Sequence, residues 1–129
     1  MNALAGCAVC FGDDAKLARK GWQNTPRICS VVSESHFIVG IGRCGACGQR
    51  FVSVFCEKID WSHGNDPQEW LLIPICEAEA DALVAPGIDV ETELSRLSSR
   101  RHLLSRWPSD AAEPEISYQT SSIYTPTHD

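Results

Sequence analysis

The feature that most constrains this chain is a pair of short cysteine motifs, Cys7-Ala8-Val9-Cys10 and Cys44-Gly45-Ala46-Cys47-Gly48. Two residues between thiolates let the backbone wrap one cation while its amides point at the sulfurs, and four thiolates match tetrahedral zinc. Gly12, Gly45 and Gly48 suit such turns, because residues beside a coordinating loop often need positive φ or room for N–H to sulfur bonds. The pattern assigns a structural zinc ion to Cys7, Cys10, Cys44 and Cys47, which fastens the start of the chain to its middle. Other readings of these cysteines fit less well. Seven is an odd number and no secretory signal is visible, so a disulfide framework is disfavoured. A thioredoxin-like pair needs the motif at a helix start in a βαβ setting, and only Cys7 and Cys10 precede a candidate helix. The 33 residues between the motifs, and the lack of proline inside either, disfavour a rubredoxin-like iron site.

A chain of 129 residues is enough for one domain and buries roughly two thirds of its extended surface, so a metal here supports one lobe and is not obligatory for folding. The expected organisation is a single zinc-binding domain over residues 1–107 and an irregular tail over 108–129. Asp13 to Gly21 runs from acids to bases and suits a short helix stopped by Gly21. Ile28 to Val32 and His36 to Ile41 are rich in β-branched residues and read as strands joined by a turn at Ser33-Glu34-Ser35. A third strand is expected from Phe51 to about Trp61, then a loop over Ser62 to Pro67. Trp70 to Ile75 is the fourth, and Pro74 puts it at an edge or places the proline at its end. Ile75 to Val84 reads as a short acidic helix closed by Pro86-Gly87. From about Asp89 to Trp107 the residues Val90, Leu94, Leu97, Leu104 and Trp107 recur at three- and four-residue steps, which predicts a longer helix ended by Pro108. Ser109 to Asp129 is rich in Ser, Thr, Pro and Glu, and only Ile116, Tyr118, Ile123 and Tyr124 offer apolar groups to lie back on the domain. The fold class predicted is α+β, an antiparallel sheet of about four strands with a knuckle at one end and C-terminal helices over it.

Over residues 5–75 the chain resembles the zinc-ribbon group, in which two Cys-x-x-Cys knuckles, here Cys7/Cys10 and Cys44/Cys47, join a small antiparallel sheet. It also looks like small bacterial zinc-ribbon proteins in which a knuckle such as Cys47-Gly48-Gln49-Arg50-Phe51 runs into an aromatic strand and an acidic loop. Ile59-Asp60-Trp61 and Asp66-Pro67-Gln68 carry that second likeness, which implies no settled activity. A minimal ribbon continues from its first knuckle straight into a strand, whereas Cys10 here leads towards a helix.

Other motifs are excluded by their context. Gly40-x-Gly42-x-x-Gly45 matches a dinucleotide fingerprint, but a strand follows it where a helix N-terminus is required. No His-x-Glu or Pro-Cys-x-x-Cys is present, so a zinc deaminase does not fit, and four thiolates leave a zinc ion no open position for water. His63, Asp60, Asp66 and Glu69 prescribe no mechanism by their spacing, so no enzyme is expected. Cys29, Cys56 and Cys76 lie in or beside apolar strand segments and read as buried, inert thiols. Leu4-Ala5-Gly6-Cys7 has the form of a lipoprotein box without the preceding apolar stretch, and no apolar run approaches the ~18 residues of a membrane span. A cytoplasmic protein is expected.

Charge points to the kind of partner. The formal charge of -6 is unevenly spread: residues 1–56 hold six Lys/Arg against three Asp/Glu, whereas residues 57–93 hold ten acids against Lys58 alone. An acidic middle repels phosphate backbones and favours basic partners. The function expected is therefore that of a non-catalytic protein-interaction module or inhibitor, with Trp61, His63, Asp66, Glu69 and Trp70 as its partner surface. Neutralising a basic toxin or nuclease, as immunity proteins do, is a specialisation this charge suits. The alternative is a nucleic-acid-binding ribbon that uses Lys16, Arg19, Lys20, Arg43 and Arg50, with Phe51 for stacking. It lacks a dense basic cluster.

Overall fold

A computed structural model describes residues 12–23, 27–34, 36–57, 68–97, 99–107, 115–120 and 123. Six strands, β1 (Arg27–Glu34), β2 (Phe37–Arg43), β3 (Arg50–Glu57), β4 (Gln68–Ile75), β5 (His102–Trp107) and β6 (Glu115–Gln119), form one antiparallel sheet in chain order. Helix α1 (Ala15–Gln23) precedes the sheet, and α2 (Glu77–Val84) and α3 (Val90–Ser95) come between β4 and β5.

Alternation along the strands assigns each side chain to a face. Phe37, Val39 and Ile41 of β2, Val52, Val54 and Cys56 of β3, Leu71, Ile73 and Ile75 of β4 and Leu104 of β5 share one face. They pack there with Ala80 and Leu83 of α2, Leu94 of α3, Leu97 and Ile123. Phe51, Leu72 and Leu103 look the other way and are covered by Ala18 and Trp22 of α1, with Cys44 beside them. The sheet is thus the middle of three layers.

Local chemistry explains the helix ends. Asp14 caps α1, its Oδ1 accepting from the amides of Lys16 at 3.0 Å and Leu17 at 3.3 Å. Gly21 does not stop this helix as expected. It runs on to Gln23 because Trp22 docks over the bare backbone of Gly42 and edge-on to Phe51, with ring centroids 5.1 Å apart at 62°. At α2 the carboxylate of Glu79 accepts from the Cys76 amide at 3.0 Å, and Gly87 at φ +77° turns the chain after the helix.

The expected sheet of about four strands with a long C-terminal helix is corrected. The helix foreseen from Asp89 to Trp107 ends at Ser95, and His102–Trp107 is instead a strand lying between β4 and β6. His102, Leu103, Leu104 and Ser105 are all buried because this strand is covered on both faces. A doubly covered strand shows no alternation, so its leucines matched a helical period by coincidence. The sixth strand comes from the segment expected to be irregular, where Ile116 and Tyr118 pack towards α1. Pro74 lies near the end of β4, beyond the last β4–β5 pair at Leu72 and Leu103. Its missing N–H therefore costs no ladder bond, and its carbonyl accepts from Arg100 Nη1 at 2.9 Å.

Candidate functional site

The β2–β3 connection carries the second cysteine motif. The Ala46 amide donates to Cys44 Sγ at 3.4 Å, the Gly48 amide donates to the Cys44 carbonyl at 2.9 Å, and the Cys44 amide donates to the Gln49 carbonyl at 3.0 Å. Gly48 has φ +80°, a conformation that would strain any side chain. Gln49 is buried and locks the loop to the sheet, its Nε2 donating to the carbonyls of Arg50 at 2.9 Å and Ile75 at 3.0 Å. Cys44 is 3% exposed beside Trp22 and Phe51, and Cys47 is exposed. An amide aimed at a sulfur is the kind of contact that surrounds a coordinated cysteine. This knuckle supplies two of the four expected ligands. Cys7 and Cys10 lie outside the described residues, and among the described residues no three His, Cys, Asp or Glu side chains stand close enough together to hold a metal ion.

Of the expected partner surface, Trp61, His63 and Asp66 lie outside the described residues. Glu69 and Trp70 are consecutive in β4 and point to opposite faces. Glu69 Oε2 lies 3.5 Å from Arg106 Nε, whereas the Trp70 ring lies under the Arg19 guanidinium, 4.5 Å from Cζ to the ring centroid. The residues of the nucleic-acid alternative are also dispersed in role. Phe51 is 1% exposed and packed against Trp22, so no base stacks on it, and Arg50 donates to Glu77 at 3.1 Å. Lys16 and Lys20 remain exposed on α1. Among the other thiols Cys56 is buried, and burial first, then the charges of Glu69 and Glu91, push its pKa up to about 12. Cys29 and Cys76 are half-buried.

On the face of the sheet that α2 and α3 cover, a cleft of about 250 Å³ opens between the β1–β2 hairpin and the start of α3. Val32, Phe37 and Val90 give it apolar walls, and Glu34, Asp89 and Glu91 bring three carboxylates to it. Glu34 ends β1 directly opposite Phe37, while Asp89 is the residue before α3, its backbone carbonyl accepting from the Glu93 amide at 3.0 Å. Asp89 and Glu91 belong to the acidic run visible in the sequence. Their meeting with Glu34, more than fifty residues earlier, has no local sequence signal because only the tertiary fold creates it. At the same end of the sheet Glu57 joins two strands, lying 3.0 Å from His36 Nδ1 and accepting from Gln68 Nε2 at 2.9 Å. The arrangement can hold a cationic group with an aliphatic stem, carbon chain along the valines and charge among the carboxylates.

Comparison with protein-family models, curated proteins and solved structures gives no match. Among the described residues no helix is long and apolar enough to cross a membrane.

Proposed function

We propose that this protein is a non-catalytic interaction module, stabilised by a structural zinc ion, whose acidic cleft engages a basic protein partner. The cleft carries the reading: three carboxylates around an apolar hollow suit a lysine or arginine side chain presented by another protein. A basic toxin domain is the partner class that the charge of residues 57–93 favours. Zinc is supported by the Cys44–Gly48 knuckle, where an amide-to-sulfur bond and a left-handed glycine give the backbone shape a thiolate pair needs. Cys7 and Cys10 would complete the four ligands, and the ion's role would be to hold them to the β2–β3 turn.

Two measurements test the reading. Elemental analysis of purified, reduced protein should find stoichiometric zinc that is lost in Cys44→Ser/Cys47→Ser, and metal-free wild-type protein would overturn the zinc assignment. Immobilised protein should capture a basic partner from host lysate and release it as salt is raised, since screening weakens charge pairing. The Glu34→Lys/Asp89→Lys/Glu91→Lys variant should lose that capture. Capture unaffected by this reversal removes the acidic cleft as the docking surface.

A further inference from the structure

The face of the sheet that α1 covers holds a second cavity, remote in chemistry from the acidic cleft. It measures about 320 Å³ and is lined by Arg19, Ile38, Ser53, Phe55 and Trp70. The register explains why space is left there. Ile38, Phe55 and Trp70 form one row across β2, β3 and β4, while in the next row on this face Gly40 pairs with Ser53. Two small residues side by side leave a low floor beside the aromatic row. A smaller space of about 40 Å³ shares Arg19, Phe55 and Trp70 with the first.

Among the described residues, Arg19 is the one cation in this apolar lining. Its guanidinium lies over the Trp70 ring, and its Nε is buried with no hydrogen-bond partner among the described residues. Burial also weakens its hold on its proton, lowering its pKa from the usual arginine value. A buried N–H without an acceptor is costly, and a ligand that brings an anionic acceptor removes that cost. Glu69 does not serve, because its carboxylate is on the opposite face beside Arg106. The cavity lies within the usual range for small-molecule sites, which combine mostly apolar walls with a few polar anchors.

We propose that this cavity is a binding site for a small planar aromatic carboxylate. The ring stacks along Phe55, Trp70 and Ile38, and the carboxylate accepts from the Arg19 guanidinium. The site is separate from the zinc knuckle and the acidic cleft, and it stands whether or not those have the role proposed for them.

Titration of the full chain with 2-naphthoate, against the uncharged 2-naphthamide of nearly the same shape, tests the site. The acid should shift the amide resonances of Ile38, Ser53 and Phe55 and the indole resonance of Trp70. It should bind about tenfold or more tighter than the amide, the margin of a charge-assisted hydrogen bond in a partly dry site. Arg19→Gln should abolish that preference, and should Arg19→Gln not fold, the comparison of acid with amide on wild-type protein decides alone. Equal binding of acid and amide, or no shift at these residues with millimolar 2-naphthoate, overturns the proposal.

Discussion

Arg100 joins three parts of the molecule through one guanidinium. Nη1 donates to the Pro74 carbonyl at 2.9 Å and to Glu79 Oε1 at 2.7 Å, and Nη2 donates to Glu79 Oε2 at 2.7 Å. This fork ties the end of β4 to α2 from the segment that leads into β5, and the Arg100 side chain is only 7% exposed. The hydrogen bonds from Arg100, followed by the bond from the Cys76 amide, hold the Glu79 carboxyl below its ordinary pKa against the opposing effect of burial. A carboxyl with a lowered folded pKa stabilises the fold fully above its unfolded value, about 4.3, and loses that contribution as pH falls through the lower folded value. Arg100→Met should cost about 3 kcal/mol at neutral pH, because it leaves Glu79 half-buried without its cation. It should also flatten the acid side of the stability profile below about pH 4.3. Urea unfolding midpoints measured across that range check both, and an unchanged acid slope in the variant would refute the linkage.

At the scale of elements, α1 depends on one absent side chain. A Cβ built on Gly42 would lie 2.6 Å from Trp22 Cη2 and 2.8 Å from its Cζ2, too close for a real contact. The indole is 7% exposed and wedged against Phe51, so it has little room to yield. Gly42→Ala should therefore lift the end of α1 from the sheet and cost about 1–3 kcal/mol. Faster hydrogen exchange over Ala15–Trp22, with β2 to β4 still protected, is the signature to look for. The contribution of the helix to the core was less legible in sequence than that of the strands. Phe37, Val39 and Ile41 announced β2 by strict alternation, since one face is more tightly covered than the other. Trp22 gave no such sign, because its socket is a glycine twenty residues away on β2. The opposite failure occurred at His102–Trp107, where burial on both faces erased alternation and left a leucine spacing that imitates a helix. In Glu115-Ile116-Ser117-Tyr118-Gln119 the alternation was present, but the polar composition around it outweighed a signal only five residues long. The glycine-rich stretch Gly40 to Gly48 marks a turn between strands, and the chain does turn between Arg43 and Arg50 although Gly40 and Gly42 belong to β2, while the two cavities depend on cross-strand neighbours that no local pattern names.

For the whole molecule, the order of strands makes the last one structurally necessary. In a sheet that follows chain order each strand leans on its sequence neighbours, and among the described residues β1 and β6 are the two edge strands. The β1 edge is interrupted by irregular register between Arg27 and Cys29 and again between Ser30 and Val32, which hinders pairing with another chain. At the other edge β6 covers β5, whose His102 to Ser105 are buried. Ile116 and Tyr118 add to the α1 side, Arg101 lies over the Tyr118 ring with Cζ 3.8 Å from its centroid, and Ile123 is 5% exposed in the cluster on the opposite face. Burying Ile123 fully and Ile116 and Tyr118 in part contributes about 3–4 kcal/mol, a large share of the stability of a domain this size. Ending the chain after Trp107 should therefore do more than trim a tail. It uncovers β5 as a new, largely apolar edge, and the shortened protein should lose cooperative thermal unfolding and self-associate. Size-exclusion chromatography and circular dichroism of the 1–107 chain beside the full chain check this. A monomeric 1–107 protein with an undiminished melting temperature would show that β6 adorns the sheet without supporting it.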